Sequence, residues 1–250
     1  MIGENGRQHH IQLREGDVGR YVLLPGDPGR CEPIAALFDD AEFVASNREY
    51  TTWTGYLNGE KVSVVSTGIG CPSSAIAMEE LIAIGADTFI RVGTSGAIQP
   101  GTPDGQLAIV TAAIRDEGTS SHYLPMEFPA IATPQLVDAI AKGARRHQIS
   151  YRLGVSQSKD SFYGEVEPDR MPMSGMLHDR WNAWVAGGAI CSEMEAATIF
   201  IIGAIHRVRT GGVMQMHSGE GEADRNQLLE ASVEALRILI AEDRAGSEWP

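Results

Sequence analysis

On either side of Asn58-Gly59, the stretch TTWTGYLNGEKVSVVST, Thr51 to Thr67, alternates apolar and polar positions. A period of two marks a half-buried strand, and Asn-Gly supplies the two left-handed residues of a two-residue hairpin turn. Strands over 51–57 and 60–66 are therefore expected to pair. Upstream, YVLLPGDPGR runs from an apolar strand into Pro-Gly-Asp-Pro, where Asp27 can cap a helical turn that begins at Pro28. Downstream, GIGCPSSAIAMEELIAIGA passes from a glycine-rich turn into a helix with Ile76, Leu81 and Ile84 on one face and a stop at Gly85. The next segment, TFIRV, is a short buried-strand pattern that carries a guanidinium, Arg91, one residue before Val92 and a Gly-Thr-Ser-Gly turn.

The remaining pattern repeats this alternation. GQLAIVTAA, YRLGVSQSK and TGGVMQM predict strands; TPQLVDAIAKGARRH and SEMEAATIFIIGAIHR predict helices. Asp224 predicts the cap of a last helix with Leu228, Leu229, Val233, Leu236 and Leu239 inward. Alternating strands and helices with one early hairpin predict a single α/β domain over residues 1–250, a three-layer sandwich in which a mixed, twisted sheet is covered by helices on both sides. Roughly the first fifteen residues read as an N-terminal arm. In such sheets ligands collect beyond the carboxyl ends of the strands, where Gly26, Gly68 and Gly93 fall.

Composition narrows the partners. With 250 residues, 43% of them hydrophobic, the chain can bury a full core, and its formal charge of -13 disfavours nucleic acid and anionic membrane surfaces. The polar start MIGENGRQHH and the lack of a long apolar run predict a cytoplasmic protein that does not insert into membranes. Cys31, Cys71 and Cys191, widely spaced, predict buried free thiols.

On its spacing alone, Arg91 is as compatible with an ordinary paired arginine as with an anion ligand. PGDPGR and GTSG match neither common nucleotide-binding glycine pattern. Taken together and in order, however, LPGDPGR, NREYTTWTG, STGIGCPSSAIAMEEL, RVGTSGAIQPG and SEMEAATIF closely resemble the nucleoside phosphorylase family, in its uridine phosphorylase branch.

The resemblance implies phosphorolysis of a nucleoside to free base and ribose 1-phosphate, with inorganic phosphate as co-substrate and no required cofactor. It implies that Gly26, Arg30, Arg91 and Thr94 hold phosphate, with Arg48 arriving from a neighbouring subunit of a homo-oligomer, a hexamer built as a trimer of dimers. Glu195 would accept hydrogen bonds from the ribose, with Thr94, Glu193 and Met194 beside it. The competing reading of Glu193 and Glu195 is a capping acidic pair on an apolar helix. His10 would reach a neighbour's ribose, or else stand idle in the arm. Glu49, Ile69 and Ser73 match a monovalent cation site, a potassium ion's, although Glu49 reads equally as a solvated charge at a hairpin edge.

The base pocket departs from the family pattern. Phe162 in KDSFYGEVEPDRMP would lie against the base, but Val166 and Pro168 stand where uridine phosphorylases carry a Gln-x-Arg pair that reads uracil. Lys159, Arg170 and Gln215 are the candidate replacements, Lys159 first. The purine branch carries an aspartate where this chain has Met216, His217 and Ser218. His217 is either a substitute acid or a loop histidine. The expectation is therefore a pyrimidine nucleoside, uridine first, with a purine nucleoside phosphorylase as the alternative; a nucleosidase and a silent nucleoside-binding protein on the same fold are further readings.

Overall fold

The computed structural model describes residues 6–219 and 224–246. Their elements are β1 (Tyr21–Pro25), α1 (Cys31–Ala35), β2 (Asp39–Asn47), β3 (Tyr50–Leu57), β4 (Glu60–Val65), α2 (Cys71–Ala83), β5 (Thr88–Ala97), β6 (Leu107–Asp116), β7 (Ala130–Ile131), α3 (Pro134–Arg146), β8 (Tyr151–Lys159), α4 (Phe162–Val166), α5 (Ser174–Ala186), β9 (Cys191–Glu193), α6 (Ala196–His206), β10 (Arg209–His217) and α7 (Arg225–Arg244). The Asn58-Gly59 hairpin forms as its sequence predicts, with Leu57 opposite Glu60 and positive φ at both turn residues. Asp27 caps the 3-10 turn at Pro28 by accepting from the Gly29 amide, and Asp224 caps α7.

All ten strands form one mixed sheet. Alternation along β1 sorts the core into two layers: Val22 and Leu24 join residues of α2 and α6, while Tyr21 and Leu23 join α1, α3 and α7. Helices thus cover both faces. Each such aliphatic side chain, fully buried, contributes about 1.5–3 kcal/mol. The sheet also closes on itself, because β5 pairs with β10, β10 with β6, β6 with β8, β8 with β9, and β9 with β5. The mixed sheet flanked by helices is as the sequence predicts, and the five-strand ring is a detail the sequence does not give.

Arg91 sits at the centre of this ring's shared strand, with Leu24 of β1 on one side and Gly212 of β10 on the other. Two residues after Phe89, it emerges on the α2/α6 face. Gly-Thr-Ser-Gly is not a turn, because β5 continues to Ala97. Its pairing with β1 stops at Val92 and its pairing with β9 starts at Gly96, so the edge at 93–95 lies open between two neighbours.

The stretch read as an arm joins the core from Gln8 onward. Ile11 and Leu13 are fully buried, and the Gln8 amide donates to the Leu13 carbonyl at 2.7 Å. Residues 1–5 of that reading lie outside the described residues. The three cysteines are free and buried, and burial pushes the Cys31 thiol up to about 12. No helix among the described residues is long and apolar enough to cross a membrane.

At the opposite end of β10 from the open edge, Arg209 ties strand to terminal helix. Its guanidinium donates to Asp243 at 2.6 and 2.8 Å, and Tyr21 donates to the same carboxylate at 2.5 Å. Burial raises the Asp243 pKa, but the bonds from Arg209 and Tyr21 outweigh it and hold the carboxyl below its ordinary value. A depressed carboxylate stabilises the fold above its ordinary pKa and loses that contribution as pH falls through the depressed value. Asp243→Asn should therefore cost about 1.5–3 kcal/mol at pH 7. In urea unfolding, the gap between variant and parent should close below about pH 4; a gap of constant size into acid would remove charge from the explanation.

Candidate active site

A cavity of about 400 Å³ opens at the exposed edge of β5. Arg91, Thr94, Ser95 and Gly96 form its floor, Glu193, Met194 and Glu195 one wall, and Lys159, Phe162, Glu165 and Val166 another, with Ile69 and His217 at the sides.

The floor is built around an ion pair. Arg91 Nη2 meets Glu195 Oε2 at 2.5 Å, with both side chains almost fully buried. Its Nη1 donates to the carbonyls of Leu24 and Val92 at 3.2 and 3.3 Å, and the other oxygen of Glu195 accepts from the Gly70 amide at 2.7 Å. Gly70 and Glu195 are the N-cap residues of α2 and α6, so two positive helix ends converge here. Arg91 Nε is buried with no hydrogen-bond partner among the described residues. A side chain at position 93 would stand 3.0 Å from Arg91 Nη2 and 2.8 Å from Met214 Sδ, which explains the glycine.

A second guanidinium approaches from the β1 turn, with Arg30 Nη2 3.4 Å from Thr94 Oγ1. Burial and then the charge of Arg91 push the Arg30 pKa down. Gly26 is adjacent: a Cβ there would lie 3.4 Å from both terminal nitrogens of Arg91. Two cations therefore face one carboxylate, with donors left over, in a protein whose overall charge is strongly negative. This local excess suits a small oxyanion.

The two acidic residues divide their roles. Glu193 Oε2 accepts from the amides of Glu195 and Ala196, both at 2.8 Å, while Oε1 takes the Ser158 hydroxyl. It caps α6, and its carboxylate is committed to the protein although it borders the cavity. Burial, then the nearby Glu195 charge, raises its pKa. Glu195 faces the cavity beside Met194.

In the wall opposite Glu195, Phe162 lies with Lys159 Nζ 5.8 Å from its ring centre, and Val166 supplies apolar surface. Lys159 is buried and reaches Ser192 Oγ at 2.6 Å and Glu165 Oε2 at 2.7 Å. Arg170 corrects the expectation: it is exposed, pairs with Glu167 on the 3-10 turn Pro168–Arg170, and does not border the cavity. Gln215 does not border it either, because its buried amide donates to the Asp224 carbonyl at 2.7 Å and joins β10 to α7. His217 borders the cavity with Nδ1 3.9 Å from Asp104. Glu165 and Ser192 were missed by sequence reasoning: the spacing of Lys159, Glu165 and Ser192 follows neither period, since they stand on a strand end, a one-turn helix and a three-residue strand.

Arg48, His10 and Glu49 also lie outside the lining of their own chain's cavity. Arg48 is exposed on the β2–β3 turn with φ 55°. His10 is anchored away from it, its Nδ1 2.7 Å from Glu80, a carboxylate that also accepts the His10 and Ile11 amides. Glu49 flanks Gly68 together with Ser73: a Cβ on Gly68 would fall 2.8 Å from Glu49 Cγ and 3.4 Å from Ser73 Oγ. Ser73 Oγ lies 3.4 Å from the carbonyl of Ile69, which itself borders the cavity. One carboxylate, one hydroxyl and one carbonyl, all hard oxygen donors, thus stand around Gly68.

Residues 20–242 match the Phosphorylase superfamily. This chain belongs to that family. Among curated relatives, the superfamily member named uridine phosphorylase from Treponema pallidum (strain Nichols) is 46% identical across 94% of this chain and 95% of its own. The uridine phosphorylase of Thermococcus kodakarensis is 43% identical across 96% and 89%. A guanosine phosphorylase of Halorubrum lacusprofundi is 38% identical across 83% and 81%.

For this phosphorylase superfamily chain, calorimetric titration with inorganic phosphate should show that Arg30→Ala and Arg91→Ala each weaken binding by about ten- to a hundredfold, the worth of one charged hydrogen bond. Unchanged affinity in both would place the anion elsewhere.

Proposed function

We propose that this protein is a pentosyltransferase that cleaves uridine with inorganic phosphate, giving uracil and ribose 1-phosphate. The observation that carries this reading is the pair of guanidiniums, Arg30 and Arg91, beside Thr94 with a single carboxylate between them and the open wall. Phosphate held there, with the Gly26 backbone, would be aimed at the anomeric carbon. An oxygen of phosphate forms a bond to that carbon as the bond to the base nitrogen breaks, and its electron pair leaves with the base, which then takes a proton. Glu195 would accept the ribose hydroxyls and favour the positive charge developing on the sugar. A hydrolytic nucleosidase has no use for two anion-directed arginines, and a silent binding protein has none for their alignment with Glu195.

The uracil preference rests on the names of the most similar relatives and on the lack of an aspartate at Met216, His217 and Ser218. His217 is the residue that favours the purine alternative, since it borders the cavity and its imidazole can donate or accept a proton there. We further propose a cytoplasmic homo-oligomer of dimers in which the exposed Arg48 and the anchored His10 serve a neighbour's cavity, with a monovalent cation such as potassium held between the Glu49, Ile69 and Ser73 groups of paired subunits. No cofactor is required by this chemistry.

A nucleoside panel incubated with and without phosphate tests the reading. Uracil and a sugar phosphate should appear in equal amounts from uridine, and only with phosphate present. Release of base at the same rate in phosphate-free buffer would make the protein a hydrolase, and faster turnover of inosine than uridine would make it a purine enzyme.

A further inference from the structure

Glu165 borders the cavity, yet neither the phosphate nor the ribose reading uses it. Its Oε2 accepts from Lys159 Nζ at 2.7 Å and lies against the Ser192 hydroxyl, whose single proton is shared between this carboxylate and Gln157 Oε1. Its Oε1 has no hydrogen bond within the described residues; it lies on the cavity side, 3.5 Å from where a Cβ on Gly96 would stand. Lys159 Nζ, with three protons, uses two on Ser192 and Glu165 and keeps one. The ring of Phe162 lies beside that ammonium.

The pair is held from behind. Gln157 gives its amide protons to Asp116 Oδ2 at 2.6 Å, a group that can only accept, so its Oε1 must face Ser192 Oγ, 2.8 Å away. Asp116 is itself paired with Arg180 of α5. Ser192, 1% exposed, is thereby fixed as the joint between a buried amide and the Glu165–Lys159 pair. The pair separates the cavity from a second one of about 340 Å³ under Trp181 and Trp184 of α5, so both ionic groups stand at a boundary with one face toward the cavity.

We propose that Glu165 and Lys159, locked through Ser192, read the edge of the base in this enzyme and commit it to bases that present a ring N–H beside a carbonyl. The proposal rests on the cavity being the nucleoside site. Glu165 Oε1 accepts the ring N–H, and the spare Lys159 proton goes to the adjacent carbonyl. Uracil N3–H with its C4 carbonyl meets that demand, as do hypoxanthine and guanine at N1–H and C6. Cytosine and adenine place a bare nitrogen lone pair against the carboxylate and an amino group against the ammonium, two repulsive contacts. Val166 and Pro168 need make no polar contact to the base under this arrangement.

The test compares the parent enzyme with Glu165→Gln and Lys159→Met on uridine and cytidine, with phosphate affinity as the check that each variant is folded. Glu165→Gln keeps size and can turn its amide to donate, so kcat/KM for uridine should fall by about ten- to a hundredfold while that for cytidine holds or rises. Lys159→Met should lower uridine turnover by a similar factor. Equal loss on both nucleosides, or no loss on either, overturns the proposal. If the parent releases no base from any nucleoside, the activity reading fails, and calorimetry with free uracil and cytosine decides the pair separately. Weakened uracil binding in Glu165→Gln with cytosine unaffected supports it; identical affinities in parent and variant overturn it.

Discussion

The buried contact between Arg91 and Glu195 fixes where every other part of the cavity stands. An ion pair taken out of water is costly unless its remaining donors and acceptors are met, and removing one partner of such a pair costs about 3–5 kcal/mol. Here the compensation comes from the fold itself. Two carbonyls of adjacent strands take Nη1, and the N-cap amide of α2 takes the second carboxylate oxygen. The pair thus requires β1, β5, α2 and α6 to meet in one register, and under the proposed function it stands at the junction between the anion held by Arg30 and the sugar along Glu195.

The open edge of β5 supplies the room. Because β1 leaves at Val92 and β9 arrives only at Gly96, three residues of a central strand have no neighbour on that edge, and two of them, Thr94 and Ser95, line the cavity. A strand edge at the heart of a sheet would ordinarily be a liability. In this chain it becomes the floor of the cavity, with Thr94 within reach of Arg30. The overall charge of -13 works against anion capture at long range, so affinity depends on these few convergent donors.

Periodicity made the fold legible where elements have two distinct faces. The Asn58-Gly59 hairpin, the α2 stripe and the capped α7 were all readable from the sequence. β2 and α5 were not, because neither has a fully buried residue, so there is no apolar stripe to find. The extension of β5 through Gly93-Thr94-Ser95-Gly96 was hidden by turn-forming residues, of which Gly93 is small because Arg91 and Met214 pack against it. Within the site, the contiguous Ser-Glu-Met-Glu block could be recognised, yet only the structure separates Glu193, spent on the α6 amides, from Glu195, which faces the cavity. The Lys159–Glu165–Ser192 cluster joins three elements and leaves no periodic trace. Arg170 looked suitable by charge and proximity in sequence, but the Pro168 turn directs it to Glu167 in solvent.

A double-mutant cycle on Arg91 and Glu195 tests the dependence of the site on its ion pair most directly. Arg91→Met, Glu195→Gln and the combined variant would be compared by kcat/KM for uridine with phosphate saturating. Each single change strands a buried partner, so the combined loss should fall short of the sum of the single losses by about 1–3 kcal/mol. Losses that add within about 0.5 kcal/mol would mean that the two residues act independently, and would contradict an active site organised around their contact.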